Sequence, residues 1–437
     1  MSTPPSVAQA AGRSKVVAWA LWDCGSTGMN AIVATFVFAV YLTSTVGQGL
    51  PGGTSPASWL GRALAIAGLT VAVLAPLTGV LVQAPQRRRA ALTILSGLAV
   101  LSTAAMSLIR SEPAYFAMGL ALLAFTAACG DLASVPYNAM LRQLTTPQNS
   151  GRISGVGAAA GYFGSVALLI VIYTAFIAGN GPERGLLGIP IDDGQNVRAA
   201  MLMAAAWFVV LALPLLITAH TLAPTGDLGR APVQAGGYRQ LWNDLRSEWR
   251  RDRNLVYYLI VSAIFRDGIA GVFAFGAVLG VSVYGISPAN VLIFGVIASS
   301  MAALGAVLAG PVDDRIGGKP VIVASLTLMI AVGLTLLSLS GSVVFWICGL
   351  LLALCVGPVT TSARTVLLRM VSDGKEAVAF GLYTTTGRAA SFLAPWLFFT
   401  FVDAFHADRA GLAGLCLVLA VGLLGMLLVK VPNHRVD

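Results

Sequence analysis

The chain is 437 residues long, 57% hydrophobic and only 10% charged, with a mean hydropathy of +0.83. Soluble globular domains carry about 25% charged residues, so composition excludes a soluble enzyme or binding module and points to a polytopic membrane protein. The net charge of +9 is what lysines and arginines retained in cytoplasmic loops produce, and no nucleic-acid partner is expected.

Residues 1–15 read as a disordered cytoplasmic N-terminus, and the apolar run that follows is too long and too polar-striped for a cleavable signal peptide. That first run, 17–43, contains WALWDCGSTGMNAIVATFVFAVY from Trp19 to Tyr41. Its polar residues Asp23, Thr27 and Asn30 fall at i, i+4 and i+7, one stripe of a helix. A charge near mid-membrane costs on the order of 3 kcal/mol, so the stripe is expected to face a cavity or a partner helix. Further runs of spanning length lie at 58–82, 90–109, 114–140, 152–178 and 199–218, and then at 255–283, 289–312, 320–339, 343–369, 377–402 and 409–430. The pattern predicts an all-α membrane protein of twelve transmembrane helices in two six-helix halves, 16–218 and 255–430. Segment 219–254 links them and 431–437 forms a tail.

Nineteen lysines and arginines fall on one side of this arrangement and five on the other, namely Arg62, Arg110, Arg184, Arg198 and Arg409. Both termini are therefore expected in the cytoplasm, with the chain in a bacterial plasma membrane. The linker ends in YRQLWNDLRSEWRRDR, where Leu241, Leu245 and Trp249 oppose a basic face. This predicts an interfacial helix on anionic lipid. The halves repeat: Trp22, Asp23, Cys24, Gly25 is echoed by Arg266, Asp267, Gly268, and GVLVQAPQRR from Gly79 by GPVDDRIGGK from Gly310. Gly155 and Gly161 in helix 5 are echoed by Gly381 and Gly387 in helix 11. Such duplication implies pseudo-symmetric halves with a binding site between them near the bilayer midplane.

Away from the helix ends, six charged residues stand within predicted helices: Asp23, Asp131, Asp267, Arg266, Arg364 and Arg388. They fall on helices 1, 4, 7, 10 and 11, as expected of helices that line a cavity. At 1.5 Å per residue, Asp131, Asp267, Arg266 and Arg388 lie roughly 14 to 18 Å from the cytoplasmic side. They are the deeper candidates for a solute, while Asp23 and Arg364 are shallower and suited to closing the cytoplasmic side. The alternative is that these charges neutralise one another as buried pairs and bind nothing. No histidine lies in a predicted helix, so proton coupling would fall to a buried carboxylate. In GPVDDRIGGK, Asp314 can accept from a helix N-terminus or an arginine, Arg315 can reach a neighbouring acid, and Gly317 and Gly318 permit a tight turn. With Gly310 and Lys319 these form a candidate conformational latch. Gln83 replaces Asp314 in the first half, which predicts one latch without its charge. Pro136, Pro358 and Pro395 are expected to kink or break their helices. Five cysteines in apolar stretches, with no C-x-x-C pair, read as core residues, and no nucleotide-binding loop, metal spacing or nucleophile elbow occurs. No cofactor and no enzymatic activity are expected.

These features resemble the major facilitator superfamily and, within it, the vacuole-effluxer-like, autophagy-related amino-acid exporter-like transporters. The first helix, the segment VPYNAMLRQLTTPQNSGRISGVGAAAGYFGS, the helix 7 motif FRDGIAG and FGLYTTTGRAASFLAP in helix 11 carry the likeness. The resemblance implies Asp23, Tyr137, Asn138, Asp267, Tyr383 and Arg388 as family positions. Asp131 stands where the family usually has Glu, and Arg388 where it often has Lys. Cys24, Gly25 and Ser26 depart from the family's Trp-Ala-Asn, and Arg142 from its proline. The expectation is a monomeric secondary transporter that exports a small polar or zwitterionic, amino-acid-like solute by alternating access with protons. Arg388 or Arg266 would take a carboxylate and Asp267 or Asp131 an ammonium, with Asn30, Asn138, Tyr162, Tyr383, Asp23 and Arg364 nearby. The alternatives are a drug/proton antiporter using Asp267, Phe273, Phe275 and Tyr162, or a lipid-handling or scaffold protein on the same fold.

Overall fold

The computed structural model describes residues 12–50, 55–146, 148–179, 181–219, 253–286, 288–372 and 374–432. The linker helix expected between 219 and 254 lies almost wholly outside the described residues, as do most of the N-terminus and tail. Twelve helical elements cross the fold: α1 (Arg13–Ala31), α2 (Pro56–Leu81), α3 (Pro85–Ala105), α4 (Phe116–Ala139), α5 (Ser150–Ile172), α6 (Gln195–Thr218), α7 (Arg253–Ser282), α8 (Pro288–Ile316), α9 (Gly318–Ser338), α10 (Ser342–Met370), α11 and α12 (Gly411–Leu428). Among the described residues eleven of these spans are unbroken, long and apolar enough to cross a membrane. The other, α11, is split into α11a (Glu376–Ala390) and α11b (Leu393–Phe405).

Local chemistry sets the ends. Ser55 caps α2, its Oγ accepting from the Ser58 amide at 3.2 Å, with Pro56 in the first turn. The turn from α8 into α9 needs a positive φ, +87° at Gly317, which glycine adopts without strain. Two stretches of wider, π-type turns continue α1 to Val46 and another ends α5 at Tyr173–Ile177. The carbonyls of Thr174 and Ala175 accept from the Leu186 and Leu187 amides of a small hairpin, β1 (Glu183–Arg184) and β2 (Ile189–Pro190). Asp193, beside this hairpin, pairs with Arg198 at 3.2 Å and Arg110 at 3.6 Å, so two of the five arginines at that end share one carboxylate.

The two halves meet in two pseudo-equivalent crossings near the arginine-rich end, and both depend on glycine. On α5, a Cβ at Gly155 would stand 2.5 Å from the Ala306 carbonyl oxygen of α8, and one at Gly151 2.5 Å from that of Gly310. On α11a, a Cβ at Gly381 would stand 2.6 Å from the Ala75 carbonyl oxygen of α2, and one at Gly79 2.6 Å from that of Ala377. Backbone thus packs on backbone, the role small residues take where lipid supplies no hydrophobic drive between helices. From mid-membrane toward the opposite end lies a cavity of about 700 Å³, walled by α1, α5, α7, α8, α9, α10 and α12.

Gly155→Val should force α5 off α8, an overpacking of about 1 to 3 kcal/mol. Thr361→Cys reports it, because Thr361 is buried in that crossing, its carbonyl accepting from Ser154 Oγ at 3.0 Å, and the five native cysteines are buried. Maleimide labelling of Cys at 361 should speed up about tenfold in the valine variant, and an unchanged rate would refute the crossing.

Candidate functional site

Asp23 projects from α1 toward α10, where Arg364 Nη1 lies 3.7 Å from its Oδ2, and the Thr27 hydroxyl donates to Oδ1 at 3.3 Å. The wall beside them is aromatic. Tyr137 of α4 is sandwiched between Trp19 at 4.6 Å and Trp22 at 4.4 Å, ring centroid to centroid. Trp19 Nε1 donates to the Tyr137 carbonyl at 3.1 Å and Trp22 Nε1 to Ser96 Oγ at 3.1 Å, so both indoles are fixed at their polar tips. The Tyr137 hydroxyl lies beside Asp23 and Arg364. Among the described residues no well-formed hydrogen bond reaches it, Arg364 Nη1 or the Oδ1 of the adjacent Asn138, all three buried, and Asp23 is the acid that Tyr137 and Arg364 face. Burial of a polar atom without a partner is costly, so these atoms mark a place with recognition capacity to spare. Thr27, bonded to Asp23, lines the cavity with Asn30 and Tyr162, so the Asp23 and Arg364 pair stands next to it behind Thr27 without itself lining it.

Arg388 in the last turn of α11a bonds Asp131 of α4 across the halves. This pair is wetter, the side chains being 39% and 27% exposed. Arg266 and Asp267 do something different. Arg266 lies over the Tyr383 ring at 3.6 Å and donates from Nη1 to the Tyr383 carbonyl at 3.0 Å, while Asp267 Oδ2 accepts from the Ala394 amide at 2.6 Å. Both side chains of α7 are therefore engaged on α11.

The arginine-rich end is bolted by charge. Asp314 accepts from the Gly151 and Arg152 amides in the first turn of α5, at 2.7 and 3.1 Å, and Arg152 Nε stands 3.7 Å away. A carboxylate there answers the positive end of the helix dipole. Arg315 is exposed, and Arg369 of α10 pairs instead with the neighbouring Asp313 at 2.6 Å while reaching Ser150 Oγ of α5 at 3.1 Å. Gly310 provides the close approach and Gly317 the turn. Lys319 Nζ caps α12 through the Leu427 and Val429 carbonyls. At the other crossing, where Gln83 has no charge, Arg88 of α3 pairs with Glu376 of α11a at 3.4 Å and donates to the Val82, Gln83 and Ala139 carbonyls. Sequence reasoning missed this pair and the one between Asp313 and Arg369. Arg88 sits in a run of three arginines that reads as loop charge, and Glu376 falls one residue before the predicted helix. The usable signal was that an acid at the start of helix 11 faces a basic run in the repeat-related loop.

Arg88 and Glu376 are 3% and 4% exposed. Glu376→Gln should therefore strand a buried guanidinium and cost about 3 kcal/mol, read as a lower melting temperature in detergent. Arg88→Leu with Glu376→Leu should recover most of the loss.

A profile of the family described as vacuole effluxer Atg22 like matches residues 54–437. The chain is 21% identical to an uncharacterized MFS-type transporter, YxiO, of Bacillus subtilis over 417 residues, 95% of this chain and 94% of that one. It is 25% identical to autophagy-related protein 22 of Yarrowia lipolytica over 64% of this chain, and spans about half the length of that and other fungal relatives. Among solved structures it superposes on the proton:xylose symporter XylE with a TM-score of 0.71 at 14% identity, over 96% of both chains. On the transporter FucP in its outward conformation the TM-score is 0.67 at 13% identity, over 96% of this chain and all of that one. These likenesses establish the fold. The chain is an integral multi-pass membrane protein of the vacuole effluxer Atg22-like family, a secondary transporter of the major facilitator superfamily.

Proposed function

We propose that the protein exports a neutral amino acid with a bulky apolar side chain across a bacterial plasma membrane, coupled to protons, with both chain termini in the cytoplasm. The observation that carries this reading is the set of unfilled valences around Asp23 and Arg364. Arg364 Nη1, held only by a 3.7 Å ion pair to Asp23, and the Tyr137 hydroxyl beside it would turn to a solute carboxylate, while Asp23 and Asn138 Oδ1 would offer acceptors to its ammonium. Arg388, Arg266 and Asp267 are each already bonded within the protein. The rest of the cavity supports a neutral side chain, because Phe36, Phe273, Phe294, Phe345 and a band of leucines wall it and no charged residue does. The family's description as effluxers supports the direction, and the excess of arginine at the sealed end supports an outward-facing state.

Asp131 is the proposed proton carrier, since it bridges the halves through Arg388 and is partly wet. Protonation would release Arg388 and let the halves part.

Counterflow of labelled leucine or phenylalanine into preloaded proteoliposomes tests the solute site. Arg364→Ala should cut the rate at least about 30-fold, as expected for loss of a desolvated charge contact, and Tyr137→Phe should raise KM with little change in maximal rate. Lysine and glutamate should not compete. Equal competition by them, or undiminished counterflow in Arg364→Ala, would overturn the reading. Transport of lipophilic cations instead would favour a drug/proton antiporter. For Asp131→Asn, counterflow should persist while accumulation driven by an imposed pH gradient is lost, and retained accumulation would remove Asp131 from the coupling step.

A further inference from the structure

α11 breaks at Ser391 and Phe392, one turn before Pro395. Pro395 has no N–H to give the Ser391 carbonyl, and its ring crowds that carbonyl, so the helix cannot run straight through. The break exposes the first amides of α11b inside the membrane, where no lipid group can take them. Asp267 does so. Its Oδ2 accepts from the Ala394 amide at 2.6 Å and its carboxylate also faces the Leu393 amide. On the near side of the break, Arg266 grips α11a through the Tyr383 carbonyl and ring, and Gly387 leaves the space its guanidinium occupies. Asp267 is 6% exposed, and among the described residues no arginine or lysine pairs with it. Its charge is answered by the N-terminus of α11b. Gly268 and Gly271 pack against Leu419 and Leu415 of α12, which closes the carboxylate in on that side.

We propose that Arg266 and Asp267 are positioning residues: a two-pronged clamp on α7 that holds α11 broken and so fixes where Arg388 stands against Asp131, without either touching the solute. Arg388 is in the last turn before the break, its carbonyl accepting from Ser391 Oγ at 2.8 Å, so whatever fixes the break fixes Arg388. The clamp joins α7 to both pieces of α11, and any movement of α7 is passed to the bridge between the halves. This inference rests on the transport reading above, but its structural part can be tested apart from it.

The test compares Asp267→Ala, Asp267→Ser and Asp267→Asn in the full chain in proteoliposomes, by hydrogen exchange of the peptide spanning 388–398 and by leucine counterflow. Asparagine keeps an acceptor oxygen at the same reach, alanine has none and serine is one bond too short, and loss of a cap is worth about tenfold in equilibrium constant. Alanine and serine should speed exchange at Leu393 and Ala394 about tenfold and slow counterflow, while asparagine keeps both within about twofold of wild type, with KM unchanged. Arg266→Leu should speed exchange on the α11a side of the break. Unchanged exchange in Asp267→Ala would overturn the clamp. So would an asparagine variant as inactive as alanine with exchange at wild-type levels, the mark of a ligand or proton carrier. Absence of counterflow in every protein, wild type included, with exchange shifted as expected, would leave the clamp standing and strike the proposed solute alone.

Discussion

A carboxylate inside a membrane has no water to fall back on, and this single constraint orders the middle of the molecule. Each of the three aspartates set deep within the helices, Asp23, Asp131 and Asp267, meets it differently. Asp23 has a guanidinium and a threonine hydroxyl beside it, Asp131 reaches an arginine from the other half, and Asp267 uses no side chain at all but the exposed amides of a broken helix. These solutions differ in how much they leave over. Of the three, only Asp23 has buried donors and acceptors without a hydrogen bond beside it, those of Tyr137, Asn138 and Arg364, and that is the place proposed for the solute.

The glycine repeat serves the same constraint from the other side. Gly155 and Gly381 bring helix backbones together at the two crossings, and Gly161 and Gly387, six residues on, clear room for the charged residues of α1 and α7. A Cβ on Gly161 would stand 3.0 Å from Thr27 Oγ1 and 3.4 Å from the Asp23 carboxylate, while Gly387 lies against the Arg266 guanidinium. Duplicated glycines thus mark duplicated needs: close approach at the sealed end, and space for a charge near the midplane. The two halves then diverge, for what is spared for a solute on α1 is spent on holding α11 from α7.

The architecture was largely legible. Twelve apolar runs, the charge asymmetry and the repeat led to two six-helix halves, because hydropathy and period are local properties that survive without tertiary information. Partner choice was less so. Which arginine meets which aspartate depends on the rotation and tilt of packed helices, which no spacing along one helix encodes, so Arg364 with Asp23 and Arg388 with Asp131 could be named as charged residues but not as couples. Asp267 is the instructive case. Its position, depth and neighbours in sequence are those of a ligand, and its engagement on Ala394 follows only once Pro395 is seen to break a helix packed against it. The charge at the α2 crossing escaped for a similar reason, since Arg88 and Glu376 are 288 residues apart and each looks like loop charge alone.

The two pieces of α11 also count together in the parity of the chain. Eleven spans, an odd number, would leave the start of α1 and the end of α12 on opposite faces of the membrane. The thirteen residues of α11b complete a crossing that α11a alone cannot make, and the count becomes even. The Lys430 amide, just past α12, donates to Asn254 Oδ1 at the start of α7 at 2.8 Å, so the chain returns to the face from which its second half set out. The break at Pro395 thus costs α11 its continuity but not its crossing, and the start of α7 and the end of α12 share one face.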